Sequence, residues 1–298
     1  MDEAIPQLSR WVASDGYSIH VEVWPVPASS PTLGRVLILH GVQSHAGWYH
    51  DLGQTLANQG FEAHFTDRRG SGSNRQDRGH TPNTRRLLDD VAEYLAELRR
   101  VEPSKPVALA GISWGAKLAV VTAGCHPGLV DALALICPGL LPRVDVSRSE
   151  RIRIALAYLV NPKKTFPIPL SDPALFTDNI DGQAFIANDP LGLRAASASL
   201  LAASFFLDRK VARIPPKVGQ PSLLILADQD RIVNNPKTLA YWDQIASKDK
   251  QVIRYPEGRH TLEFDPDPTR YARDLAAWFD QTFSKDHPAA NIDEPRGV

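Results

Sequence analysis

Cysteine is scarce in this chain: only Cys125 and Cys137 occur among 298 residues. That excludes a disulfide scaffold and any zinc ribbon built on cysteine pairs. An excess of one charge is also missing, since 33 Lys+Arg against 34 Asp+Glu leave a formal charge of −1. Without a basic block, the electrostatic footprint of a nucleic-acid binder is absent. No apolar run approaches the roughly 20 residues of a membrane span. The start, MDEAIPQLSRW, is acidic and has no apolar stretch, so it does not read as a secretory signal. Internal repeats and low-complexity segments are lacking too. What is present is 43% hydrophobic and 22% charged residues, the balance of a globular chain. Folded as one unit of this size it would bury roughly 75% of its extended surface, enough to need no staple. The expectation is a soluble, cytoplasmic, enzyme-sized protein.

Apolar runs alternate with amphipathic stretches, which predicts an α/β domain with a mostly parallel sheet and helices on both faces. Strands are expected at Tyr17–Trp24, Arg35–His40, Phe61–Thr66, Val107–Ile112, Leu133–Cys137, Ser222–Ala227 and Gln251–Tyr255. Leu87, Leu88, Val91, Leu95 and Leu98 recur at helical spacing and predict a crossover helix. Between Gly139 and Gly219 the rhythm breaks into helical pieces joined by prolines, with the longest expected over Leu193–Leu207. This predicts a core from residues 1–138 and 220–284, an inserted helical cap at 139–219 and a frayed tail at 285–298.

The chemistry starts at Gly111-Ile112-Ser113-Trp114-Gly115. A chance GxSxG in a chain this long has a probability on the order of 0.1, so context decides. Here PVALAGI before it reads as a strand and AKLAVVTA after it as a helix, the setting in which the serine is thrust out of a sharp turn. An alcohol needs a base, and the base needs an orienting acid. Of nine histidines, only His126, His260 and His287 follow Ser113. His126 falls in the helix after the serine and His287 in the tail, which leaves His260, in a loop beyond the last strand. Asp228 and Asp230 both follow the strand Ser222–Ala227; the longer reach favours Asp230 as the acid and leaves Asp228 as a turn residue. The oxyanion needs two donors. The Trp114 N–H, next after the nucleophile, and the Val42 N–H, after His40-Gly41, are placed for it.

Two weaker patterns point elsewhere. His40, His45 and His50 are spaced by five and do not share a helical face, which argues against a metal site. GSGS at 70–73 lacks the spacing of a phosphate loop and carries no lysine after it.

HGVQSHAGWY at 40–49, DRRGSGS at 67–73, GISWG at 111–115, NDPL at 188–191, ADQDRIV at 227–233 and GRHTLEF at 258–264 together carry a resemblance. The chain resembles the α/β-hydrolase superfamily, and within it the monoacylglycerol lipase and lysophospholipase branch, from about residue 17 to 283. The resemblance implies Ser113, Asp230 and His260 as a triad, Val42 and Trp114 as oxyanion donors, and no metal or organic cofactor. It implies a serine carboxylic-ester hydrolase acting on a lipophilic acyl ester, a small molecule. An aminopeptidase or amidase, an acyltransferase and a non-catalytic binding module on the same fold are the alternatives. The chain departs from the branch at Gln43-Ser44, where Gly-Glu is usual, and at Trp114, where Met is common. Apolar cap residues Ile152, Ile154, Leu156, Leu159, Leu200, Leu201, Phe205 and Phe206 either greet an acyl chain, touch a lipid surface or pack the cap down. Asp172, Asp178, Asp181 and Asp189 keep the aminopeptidase alternative open, since a carboxylate there would hold a free α-amino group.

Overall fold

The computed structural model describes residues 5–144 and 146–286. From 287 on, the expected tail and His287 lie outside the described residues, as does the start at 1–4. The chain opens with strands β1 (Gln7–Val12), β2 (Ser18–Trp24) and β3 (Gly34–Leu39), helix α1 (His50–Asn58), and strand β4 (Phe61–Thr66). Helix α2 (Thr84–Val101), strand β5 (Val107–Ile112), helix α3 (Gly115–Cys125) and strand β6 (Ala132–Ile136) follow. Next come α4 (Arg148–Val160), β7 (Thr165–Pro167), α5 (Ile180–Asn188), β8 (Ala195–Ser197) and α6 (Ala198–Val211). The chain then runs through β9 (Ser222–Ala227), α7 (Asn235–Trp242), β10 (Lys250–Tyr255) and α8 (Arg270–Asp286).

Eight strands form one sheet in the order β1-β2-β4-β3-β5-β6-β9-β10. β1 and β2 run antiparallel and every pair from β4 to β10 is parallel. Strands β3, β5, β6 and β9 are buried along their whole length, which is why they read as unbroken apolar runs. Alternate residues serve opposite faces. Leu37, Leu109, Leu133 and Leu224 pack under α2 and α3 with Leu95 and Val120. Val36, Ile38, Ala110 and Ile225 pack with Leu52 of α1 and Phe279 of α8.

Three details depart from the sequence expectation. β1 is an extra strand whose Leu8 and Val12 face solvent, so it carries no alternation signal. The helix expected over Leu193–Leu207 starts only at Ala198, where the Ser197 side chain accepts from the Leu200 N–H and caps it. The residues before it form β8, which pairs antiparallel with β7 in a separate two-stranded ladder. A three-residue strand has too few positions to show a period of two.

Residues 139–219 make a small core of their own from Ile154, Ala157, Phe166 and Ala198. They are also stitched to the loops that follow β3 and β9. The Arg143 N–H donates to Ile232 O and the Asn234 N–H to Leu141 O, while the Leu193 N–H reaches Gln43 O.

Candidate active site

The loops that follow β3, β5, β9 and β10 meet at the carboxyl edge of the sheet, where open α/β sheets place their sites. Ser113 stands at the β5–α3 turn with φ of 52°, a left-handed conformation that L-residues adopt only under constraint. The constraint is visible in its neighbours. The Ser113 N–H donates to Ile136 O and its carbonyl accepts from Gly139 N–H, so the end of β6 and the loop after it grip the turn from both sides. A Cβ on Gly115 would lie 2.2 Å from Leu39 O, and one on Gly111 would lie 2.6 Å from Ala116 Cα. Both glycines are therefore needed for backbone approach.

His260 joins the serine to an acid. Its Nε2 is 2.8 Å from Ser113 Oγ and its Nδ1 is 2.7 Å from Asp230 Oδ2. A carboxylate can only accept, so Nδ1 carries the proton and Nε2 presents its lone pair to the serine hydroxyl. Asp230 and His260 are buried and Ser113 is half-buried. The other carboxylate oxygen, Oδ1, accepts from the Ile232 and Val233 N–H groups at 2.7 and 2.8 Å, so the acid is held from the side facing away from the histidine. Contrary to expectation, among the described residues no turn N–H donates to Asp228; its carboxylate pairs with Arg254 at 2.9 Å.

The two expected oxyanion donors flank the serine. Among the described residues, no hydrogen bond engages the N–H of Val42 or Trp114. The Gly41 carbonyl accepts from His40 Nδ1 at 2.7 Å and from Arg68 at 3.1 Å. In a trans peptide the Val42 N–H points opposite to that carbonyl. The bonds that fix Gly41 O thus aim the Val42 N–H away from Arg68, and Gly41, Val42 and Ser113 line one recess.

Arg68 was legible only as part of a loop, and its role emerges from the fold. It is buried, also donates to Val42 O at 2.9 Å, and lies 4.8 Å over the Trp114 ring. Burial pushes its guanidinium down to about 10, and burial with Arg68 beside it holds His40 well below the usual histidine range. His40 is therefore neutral, and its Nε2 accepts from the Arg68 N–H. His45 faces Asp189 and His50 lies near Glu22, so the three histidines have separate partners. Among the described residues no group of three or more His, Cys, Asp or Glu is placed to hold a metal ion.

Contacts from 139–219 complete the surroundings. Leu170 and Phe176 line the recess, and the Phe176 ring meets His260 edge-on at 5.9 Å. None of the apolar residues singled out in the sequence lines it: Ile154 and Leu200 are buried, whereas Ile152, Leu156, Leu159, Phe205 and Phe206 are exposed. Trp114 Nε1 donates to Ser204 Oγ of α6 at 2.9 Å. Asp178 bridges Arg231 and Arg259, the sequence neighbours of Asp230 and His260, and those arginines lower its pKa. Asp189 accepts from Trp48 Nε1 and from the Leu191 N–H, and Asp172 from Ala174 N–H.

Glu263 anchors the histidine loop to α1 by accepting from the Leu52 N–H at 3.2 Å, and it also accepts from the Tyr271 hydroxyl. Burial pushes its carboxyl up from 4.5 to about 8. The folded state then keeps a proton that the unfolded chain releases. This contribution to stability is full below the unfolded value and is lost as pH rises through about 8. Glu263→Gln should match the parent's Tm near pH 5 and exceed it by several degrees at pH 9, on the scale of ~2–4 °C per kcal/mol. Parallel Tm curves across that range would exclude the account.

The model of the family described as serine aminopeptidase, S33, matches residues 30–267. A monoacylglycerol lipase of Mycolicibacterium smegmatis is 24% identical over 88% of this chain and 93% of its own length. A human monoglyceride lipase is 25% identical over 87% of this chain and 86% of its own. Among solved structures, a soluble variant of monoglyceride lipase from Saccharomyces cerevisiae superposes with a TM-score of 0.83 at 19% identity, covering 94% of this chain and 97% of that one.

Proposed function

The chain belongs to this serine aminopeptidase family and has the α/β-hydrolase fold, and from that premise we propose that it is a serine carboxylic-ester hydrolase of the monoacylglycerol lipase type. The observation that carries the reading is the unbroken chain of hydrogen bonds Ser113–His260–Asp230 ending in an uncharged recess. Ser113 Oγ attacks the acyl carbonyl while His260 Nε2 takes its proton, and Asp230 stabilises the imidazolium that results. The N–H groups of Val42 and Trp114 hold the oxyanion. His260 then gives the proton to the leaving alcohol, and water releases the acyl group from Ser113 by the same steps.

Leu170 and Phe176 give the recess beside Ser113 and His260 apolar walls, which suits a small to medium lipophilic acyl group. Residues 139–219 act as its cap on the core of 1–138 and 220–284, contributing Leu170 and Phe176. Among the described residues no helix is long and apolar enough to cross a membrane. We place the enzyme in the cytoplasm, with the exposed Ile152, Leu156, Leu159 and Val160 of α4 as its surface for peripheral lipid contact.

An aminopeptidase would need a carboxylate facing the substrate's α-amino group. The lining holds no Asp or Glu; Asp172, Asp178 and Asp189 are committed to partners of their own, and Asp181 is exposed in the first turn of α5. Initial rates on p-nitrophenyl esters from acetyl to palmitoyl, beside an aminoacyl arylamide, test the reading. The expected profile peaks at short or medium chains, with stoichiometric labelling by a fluorophosphonate. Turnover of the arylamide alone would overturn it.

A further inference from the structure

Gln43 follows the oxyanion-loop residue Val42 directly and lines the same recess as Ser113 and His260. It is only 3% exposed, yet neither its Oε1 nor its Nε2 has a partner among the described residues. Its main chain is occupied, since Gln43 O accepts from the Leu193 N–H. Nearby polar groups are committed elsewhere: Ser44 Oγ pairs with the Tyr49 hydroxyl at 2.8 Å. A buried carboxamide with both ends unpaired is costly, and a leucine or methionine would fill similar space without that cost. A group that donates and accepts at once, in a recess with no Lys, Arg, Asp or Glu in its lining, calls for an uncharged partner that can do the same.

We propose that Gln43 is a specificity-determining residue, selecting esters that carry a neutral hydrogen-bonding group, a hydroxyl or a carboxamide, within a few bonds of the scissile carbonyl. The closeness follows from the chain, because adjacent Cα atoms are about 3.8 Å apart and Val42 is the oxyanion donor. The inference rests on the ester-hydrolase reading and narrows its substrate class. A recess built to hydrogen-bond a substrate group rejects the analogue without it, because its own polar atoms are then left buried and unpaired.

The test compares matched neutral esters by titration of released acid. Ethyl 3-hydroxybutanoate is set against ethyl 3-methylbutanoate, ethyl succinamate against ethyl 4-methylpentanoate, and 2-hydroxyethyl butanoate against propyl butanoate. The three pairs separate a hydroxyl on the acyl side, a carboxamide, and a hydroxyl on the leaving alcohol. The parent should prefer the polar member of at least one pair by about ten-fold in kcat/KM. Gln43→Met should bring that ratio near one; because a ratio is read, general changes in rate cancel. Gln43→Leu serves the same purpose if the methionine variant does not fold. Hydrolysis of all six esters with ratios near one in the parent overturns the proposal, as does an undiminished ratio in the variants. If no ester is cleaved and Ser113 is not labelled by a fluorophosphonate, the ester-hydrolase reading fails and this inference falls with it.

Discussion

Ser113→Ala is expected to lower kcat/KM on p-nitrophenyl butyrate by at least about a thousand-fold, the scale set by losing one member of a nucleophile–base–acid unit. Its thermal midpoint should stay close to the parent's. Alanine keeps the Cβ, so the positive φ at this turn is strained to the same degree, and the gripping bonds to Ile136 O and from Gly139 N–H are main-chain. Only the bond between the hydroxyl and His260 Nε2 is lost. A rate measured beside a melting curve separates lost chemistry from lost fold. Retention of most of the activity by a folded variant would remove Ser113 from the mechanism.

Asp230→Asn should cost about ten-thousand-fold in kcat, for a reason that lies in how the acid is held. Its Oδ1 accepts two main-chain N–H groups. An asparagine in that place keeps its carbonyl oxygen on those donors, which turns its NH2 toward His260 Nδ1. An NH2 can only donate, so it selects the imidazole tautomer protonated at Nε2, and that nitrogen can no longer take the serine's proton. The expected signature is a fall in kcat with fluorophosphonate labelling slowed in parallel and Tm little changed. A decrease of less than ten-fold would mean that Asp230 does not set the tautomer.

The parts of this arrangement differ in how far they could be read from residues. Ser113 carries its own context, because GxSxG between an apolar run and a helical run has a mechanical reason to exist. His260 and Asp230 needed chain order and loop length, and Asp228 shows the limit of that reasoning: only the fold reveals that Arg254 occupies it. Arg68 was not legible as a site residue, and Asp178 was read only as a candidate for holding an α-amino group. Each acts through groups far away in sequence, Arg68 on the carbonyls of Gly41 and Val42, and Asp178 on Arg231 and Arg259. An arginine in a loop announces no such partners. In the fold, the buried strands were legible from their apolar runs, whereas β1 exposes its apolar side chains and β7 and β8 are too short to show a pattern.

The crowding around the nucleophile has a consequence in time. A Cβ on Gly115 would strike the carbonyl of Leu39, and one on Gly139 would sit 3.1 Å from the Ser113 carbonyl carbon, so three stretches of main chain far apart in sequence close on each other with no room to spare. Such a junction has no partly assembled version: until β3, β5 and β6 lie side by side, the serine turn has nothing to hold it in its strained shape. Contacts between residues distant along the chain form late in folding because the loop entropy must be met first. The expectation is that, during refolding, hydrolysis returns only once all three strands are in place, which activity followed beside a spectroscopic signal would check.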